Sequence, residues 1–269
     1  MTKAENYRIL DQEEVAPQHF RMKIKAPIIA AQAQAGQFVH VLPRSASICD
    51  PLLRRAFSIL KADDGAIDIL YRVEGRGTSL LSSLKAGDSI NLLGPLGQNF
   101  EPLYNSSLLV GGGVGVPPMA MLASTRNESQ DTRAIIGART KADLICLEDF
   151  GNYGVPVDIA TDDGSRGYKG RVTDLLEMQL RARSDTKPRV YACGPLPMLR
   201  AVAKLCREYS VEAQVSLEEN LPCGVGVCNG CVVPIVTAER DYDRFRRICI
   251  QGPVMWASEV DWEQYESAC

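Results

Sequence analysis

Four cysteines near the C-terminal end have a spacing suited to metal ligation. Cys223, Cys228 and Cys231 share one short loop and Cys249 follows at a distance, giving C-x4-C-x2-C-x17-C, the plant-type spacing for a [2Fe-2S] cluster. Three thiolates from one loop surround a cluster only where the backbone turns tightly, and Gly224, Gly226 and Gly230 are expected to supply positive φ there. A hairpin of residues 232–236 against 247–250 is expected to return Cys249 to the loop. Structural zinc is the alternative, but zinc sites usually pair two close cysteines with two further close ligands, whereas here three cluster and one is remote. Cys49, Cys146, Cys206 and Cys269 are scattered and read as small buried hydrophobes or incidental thiols.

Two further segments offer phosphate chemistry. After an apolar strand at 108–110 comes a run of glycines ending in Pro117 and Pro118, which brings Gly113 and Gly115 to a strand-to-helix turn where a pyrophosphate can approach backbone N–H groups. The run departs from G-x-G-x-x-G because Pro118 holds the final glycine position. The next strand ends in Gly137, Ala138 and Arg139, so the usual acidic partner for a ribose is missing. Asp162 and Asp163 either take that role or shape their own turn. A later strand, 190–192, enters Cys193-Gly194-Pro-Leu-Pro197-Met198, with Pro197 suited to a first helical turn. His19 and His40, the two histidines, read as structural or solvated residues.

These segments need positioning elements, and the chain supplies three regimes. Up to about residue 100 short β-rich runs at 38–42, 56–60, 66–73 and 89–93 alternate with turn clusters at 61–65 and 85–88, the pattern of a small antiparallel barrel. From about 104 to 214, strands at 108–110, 134–137, 157–161 and 189–192 alternate with helical spacing at 118–123, 173–180 and 197–208, predicting a parallel sheet covered by helices. The remaining tail is too short for its own core and needs a metal to fold. The fold class is therefore multi-domain β + α/β, divided as 1–102, 103–214 and 215–269. A length of 269 residues suits that division, and a net charge of −3 carries no nucleic-acid footprint. No secretory signal or membrane-length apolar run is present, which predicts a cytoplasmic location.

In order along the chain stand Arg55-Ala-Phe57-Ser58, Gly75-Arg-Gly77-Thr78-Ser79, Gly94-Pro-Leu-Gly97, the 111–118 turn and the 193–198 segment. This order resembles the ferredoxin-NADP reductase superfamily. With the cysteine cluster, Thr161-Asp-Asp-Gly-Ser165 and Gln251-Gly-Pro-Val254 added, the whole chain resembles the electron-transfer subunits of class B, NAD-dependent dihydroorotate dehydrogenases. The resemblance implies an FAD whose phosphates meet Arg55 and whose ring lies near Phe57 and Ser58, where the wider superfamily more often has tyrosine than phenylalanine. It implies further that Tyr71, Arg72 and Val73 run beside the flavin, and that Gly77, Thr78 and Ser79 receive the FAD pyrophosphate. Gly113 and Gly115 would meet the pyrophosphate of NAD, with Cys193 and Gly194 near the site of hydride transfer. No residue is expected to act as acid or base, because hydride transfer to a flavin needs alignment of two rings.

The partner implied is an FMN-containing catalytic subunit that oxidises dihydroorotate in pyrimidine biosynthesis, in a heterotetramer of two of each. A (β/α)8 barrel typically needs about 250 residues, so this chain has no room for that site. Val225, Val227 and Trp256 are the candidate docking surface. Two alternatives stand beside this reading: a diaphorase subunit of a hydrogenase or bifurcating transhydrogenase, and a metal-stabilised adaptor without redox activity.

Overall fold

The computed structural model describes residues 3–43, 50–183, 185–238 and 241–265, so Cys49 and Cys269 lie outside the described residues. The N-terminal strands β1 (Glu5–Ala16), β2 (His19–Lys25), β3 (Phe38–Leu42), β4 (Arg55–Asp63), β5 (Ala66–Arg72) and β6 (Ser89–Leu96) pair antiparallel in the order β1-β2-β5-β4-β3-β6. Pairing of β1 with β6 closes the barrel, so no backbone edge is left for another chain to join. Alternation sends Ile9, Met22, Val39, Ile59, Ile69 and Leu92 inward, all fully buried. Two short helices, α1 (Pro27–Ala30) and α2 (Arg76–Ser82), lie in its connections. The Gln12 side-chain amide donates to the carbonyls of Leu81, Ser82 and Leu84, fastening the end of α2 to β1.

The middle of the chain alternates strand and helix: β7 (Ser106–Gly112), α3 (Val116–Ala123), β8 (Asp131–Ala138), α4 (Leu147–Asn152), β9 (Val157–Thr161), β10 (Tyr168–Lys169), α5 (Val172–Ala182), β11 (Arg189–Cys193), α6 (Leu196–Glu208) and β12 (Ala213–Ser216). β7 is buried at every position, as a parallel strand covered on both faces must be. α3 is buried along its whole length. It starts with prolines where the missing N–H groups would have had no intrahelical partner. α5 instead buries only Val172, Leu176 and Leu180, one stripe at helical spacing.

The tail contains β13 (Val232–Pro234), β14 (Phe245–Arg247), the one-turn α7 (Ile248–Gln251) and β15 (Val254–Trp256). β15 pairs antiparallel with β12, completing the sheet order β10-β9-β8-β7-β11-β12-β15. The tail thus shares a sheet with the nucleotide-type unit, and the expected boundary at 214/215 falls inside β12. The expected hairpin is shorter than its sequence pattern: Val232 pairs with Arg247 and Pro234 with Phe245, while Cys249 stands on α7. The Ile248 N–H donates to the Cys231 carbonyl at 3.0 Å, which seats that helical turn beside the loop.

The three parts are tied together by polar and steric contacts. Gln98, just past β6, donates through its backbone to Gly252 at 2.6 Å and through its side chain to Ile250 at 2.9 Å. Arg21 of the barrel reaches Asp68 at 2.6 Å and Asp149 of α4 at 3.2 Å, a half-buried network across the first junction. On the tail side, Phe38 of β3 belongs to the same apolar cluster as Val215, Cys231 and Cys249. Among the described residues, no helix is long and apolar enough to cross a membrane.

Candidate functional site

The four clustered cysteines are brought together. Cys228 lies beside Cys223 and Cys231 beside Cys249, and the Cys223 charge also acts on Cys249. Burial alone would raise the Cys223 thiol, but the N–H groups of Val225, Cys228 and Val227 and the Cys228 side chain outweigh it and bring its pKa down to about 6. That is the environment a thiolate ligand requires. Burial, followed by the neighbouring Cys231, pushes Cys249 up to about 12. Among the described residues, no three His, Cys, Asp or Glu side chains gather at a single-ion site. Four gathered thiols in the C-x4-C-x2-C-x17-C spacing would hold a [2Fe-2S] cluster, which would supply one-electron transfer.

The loop obtains its turns differently from the expectation. Gly224 and Gly226 have φ of +69° and +78°, as expected, but the third left-handed residue is Asn229, at +55°. Asparagine tolerates that region better than most residues. Gly230 is needed for room instead, since a Cβ there would lie 3.2 Å from Pro222 and 3.4 Å from Cys228 Sγ. Val225 and Val227 are exposed, whereas Trp256 is half-buried with the Arg189 guanidinium 5.1 Å from its ring centroid. Trp256 therefore stands apart from the two valines as a packing residue.

A cavity of about 510 Å³ opens where the ends of β7 and β11 meet the barrel. Gly112, Gly113, Pro195 and Met198 line its floor, with Asp143, Asp162, Arg139 and Arg171 at its rim. Gly113 has φ of +54° and open space where a side chain would project. Gly115 serves another purpose: a Cβ there would lie 2.4 Å from the Cys193 carbonyl carbon and oxygen and 2.5 Å from the Gly194 nitrogen. It lets the two strand-end loops cross. Cys193 is buried, and desolvation followed by the Glu218 charge raises its thiol well above the ordinary range, so it stays neutral. Asp162 faces the cavity while Asp163 accepts hydrogen bonds from the Ser165 backbone and hydroxyl, so Asp163 is the carboxylate that shapes the turn.

On the barrel side, β4 and α2 converge. Gly77 lies beneath Arg55, whose Nε would be 3.3 Å from a Cβ at that position. Arg55 thus sits over the first turn of α2, a pairing of cation and unpaired N–H groups suited to phosphate. Thr78 is already engaged: its hydroxyl accepts from the N–H groups of Glu74 and Gly75. Ser79 is exposed and Ser58 half-buried. Phe57 packs on Tyr71 with centroids 5.3 Å apart, and Tyr71 itself is 1% exposed and donates to Gln12 Oε1 at 3.0 Å. The Tyr71 ring therefore belongs to the barrel core. Alternation turns the next residue outward, so Arg72 lines the 510 Å³ cavity together with His19, its partner across the β2–β5 ladder. Its Nε is buried with no hydrogen-bond partner among the described residues, while its Nη1 lies 3.7 Å from Glu74 Oε1.

Comparison with known proteins fits both halves of this arrangement. The model of the iron-sulfur cluster binding domain of dihydroorotate dehydrogenase B matches residues 218–261, and that of the oxidoreductase NAD-binding domain matches residues 109–204. The dihydroorotate dehydrogenase B (NAD(+)) electron transfer subunit of Bacillus caldolyticus is 40% identical over 263 residues, 95% of this chain and 98% of that one. The chain belongs to the dihydroorotate dehydrogenase B electron transfer subunit family. A solved structure described as an NADH-dependent reduced ferredoxin-NADP oxidoreductase, reported for flavin-based electron bifurcation, superposes with a TM-score of 0.80 at 28% identity, covering 96% of this chain and 90% of that one. The ferredoxin NADP+ reductase of Neisseria gonorrhoeae, solved with bound FAD and NADP, shares the fold with a TM-score of 0.63 at 17% identity over 77% of this chain and 92% of its own.

Within this family the site contains residues that motif reading passes over. Glu218, just beyond β12, lies 4.0 Å from Cys193 Sγ. Its side chain is exposed at the surface, yet enough protein surrounds the carboxyl that desolvation, then the Glu74 charge, raises its pKa. Arg139 and Asp143 line the cavity from the β8–α4 connection, 3.7 Å apart, and Arg171 lines it from the turn before α5. The one available signal was position, since each follows a strand of the parallel sheet at its C-terminal end, where ligands bind in open α/β sheets.

Proposed function

We propose that this chain is the electron-transfer subunit that connects an FMN-containing, dihydroorotate-oxidising partner with NAD in pyrimidine biosynthesis. The reading is supported chiefly by the four gathered thiols of Cys223, Cys228, Cys231 and Cys249 in a chain that also has a cavity at the C-terminal ends of its parallel strands. Cys223, Cys228, Cys231 and Cys249 hold a [2Fe-2S] cluster. Arg55 and the first turn of α2, at Gly77 and Ser79, bind the FAD phosphates, and Ser58 lies by its ring system. Thr78 holds that turn in shape, and Phe57 backs it through Tyr71. Flavin supplies the conversion between paired electrons carried as hydride and single electrons carried by iron.

The remaining assignments concern NAD. Gly113 admits the pyrophosphate, Arg72 neutralises it from the barrel side, and Asp143 and Asp162 accept from ribose hydroxyls. Gly115, Cys193 and Gly194 hold the floor on which the nicotinamide is aligned, with the neutral Cys193 adding no charge there. Val73, half-buried just past β5 with its N–H on the Gln18 carbonyl, runs beside the flavin. The three parts, 1–102, 103–214 and 215–269, correspond to FAD, NAD and cluster, the last two sharing one sheet. Val225 and Val227 meet the partner, in a cytoplasmic heterotetramer of two of each subunit.

The test is anaerobic co-purification of this chain with an FMN-containing dihydroorotate-oxidising subunit, followed by assay of dihydroorotate-dependent NAD reduction. Activity that requires both polypeptides is the expected result. FAD and [2Fe-2S] spectra without such activity would move the partner to a hydrogenase or transhydrogenase, and lack of flavin binding would leave a metal-stabilised adaptor.

A further inference from the structure

One buried polar side chain lies between the flavin strand and the cluster loop, and no part of the redox machinery described above uses it. His40, at the middle of β3, is 0% exposed, and among the described residues no hydrogen bond of ordinary geometry reaches either Nδ1 or Nε2. An imidazole left in that state carries a desolvation penalty that nothing offsets, so its retention asks for a partner. The polar groups facing the ring are the backbone carbonyls of Leu221 and Cys223. The ring also lies flat against the loop: a Cβ on Gly224 would stand 2.6 Å from His40 Nδ1, 2.9 Å from Cε1 and 3.1 Å from Cγ.

The other side of the same residue touches the flavin strand. In the β3–β4 ladder His40 stands opposite Ala56 and Phe38 opposite Ser58, so these four share one face of the sheet. Phe38 and Ala56 pack in the cluster with Cys231 and Cys249, which identifies that face as the one turned toward the thiols. The His40 backbone is fixed as well, because its carbonyl accepts from Arg54 Nη1 at 3.0 Å. A rigid strand thus presents a buried donor to the loop that begins the ligand set.

Resting on the function proposed above, we propose that His40 is a positioning residue whose ring, packed on Gly224 and facing the Leu221 carbonyl as a donor, holds the 221–224 backbone, and with it the Cys223 side of the cluster, against the flavin strand. Groups of this kind orient metal ligands without touching the metal, and their loss typically costs about 10- to 100-fold in metal retention. Gly224 is then required for two reasons, its φ of +69° and its contact with the imidazole.

The experiment compares wild type, His40→Leu and His40→Gln as the full chain purified anaerobically. It reads FAD content, the rate of FAD reduction by NADH, the rate at which the cluster is then reduced, its reduced-state EPR signal and its lifetime against a chelator. His40→Leu is expected to keep FAD and its reduction by NADH, to shift the EPR signal, to slow cluster reduction and to shorten cluster lifetime by about 10-fold or more. His40→Gln, which keeps a donor, is expected to recover most of the loss. Should His40→Leu fail to fold, Gly224→Ala disturbs the same contact from the loop side and is expected to give the same signature. Unchanged cluster lifetime and reduction rate in the folded variants would overturn the inference alone. Loss of FAD together with the cluster would assign His40 to barrel packing and overturn it too. A wild type with no cluster would instead sink the functional reading, and this inference with it.

Discussion

At the scale of single residues, the account separates the two redox half-sites. Cys228, the exposed member of its thiol pair, can be changed without disturbing the core. Cys228→Ser is expected to abolish the cluster EPR signal while NADH still reduces the bound FAD in stopped-flow absorbance. Arg72 makes the complementary case, since its guanidinium lines the dinucleotide cavity and its buried Nε has no partner among the described residues. Arg72→Met removes a charge-assisted hydrogen bond worth about 1.5–3 kcal/mol, so the KM for NADH should rise about 10- to 100-fold with FAD content unchanged. Loss of FAD with an unchanged KM would return Arg72 to the flavin side. The cysteines were legible in the sequence because their spacing alone limits what they can bind. The division between Tyr71 and Arg72 was not, because a motif places three successive residues near a cofactor while the barrel turns alternate ones inward. His40 carried no motif, and its environment is built by a loop far away in sequence.

At the scale of elements, the glycines of the strand-to-helix turn do two kinds of work. Gly115→Ala would drive a methyl group into the Cys193–Gly194 backbone, which cannot yield as a flexible side chain would. Overpacking of this sort costs about 1–3 kcal/mol, so a lowered Tm is expected, accompanied by weaker NADH binding as both loops shift. Gly113→Ala meets no neighbour, and its penalty is the left-handed backbone, about 1–2 kcal/mol. Its Tm should fall less than its NADH affinity, because the added methyl projects where the pyrophosphate is expected. Calorimetry of the two variants with and without NADH checks the contrast. The strands and helices themselves were largely readable from alternation and helical spacing. β15 was not, since its few residues gain strand character only by pairing with β12 across a long separation in the chain. The hairpin before Cys249 was overextended for a related reason: residues 248–251 are apolar enough for a strand, but the N–H of Ile248 is taken by Cys231 and the chain turns helical.

At the scale of the whole molecule, the tail is the part that makes the three units one protein. It supplies the cluster loop, adds β15 to the nucleotide-type sheet and binds the barrel through Gln98. Removal of the chain from residue 218 onward should therefore destabilise the sheet as well as abolish the cluster, seen as a lower Tm for a fragment that still contains every barrel strand. In the function proposed above, FAD stands between NAD and the cluster in the route of electrons because it alone converts hydride to single electrons. The most direct test is an anaerobic NADH titration of the purified chain, followed at once by visible absorbance and EPR. Bleaching of FAD accompanied by a reduced [2Fe-2S] signal, with the cluster signal lost in Cys228→Ser and flavin bleaching retained, is the result the account predicts. Cluster reduction by NADH in protein stripped of flavin, or a wild-type cluster that stays oxidised after the flavin is fully reduced, would contradict it.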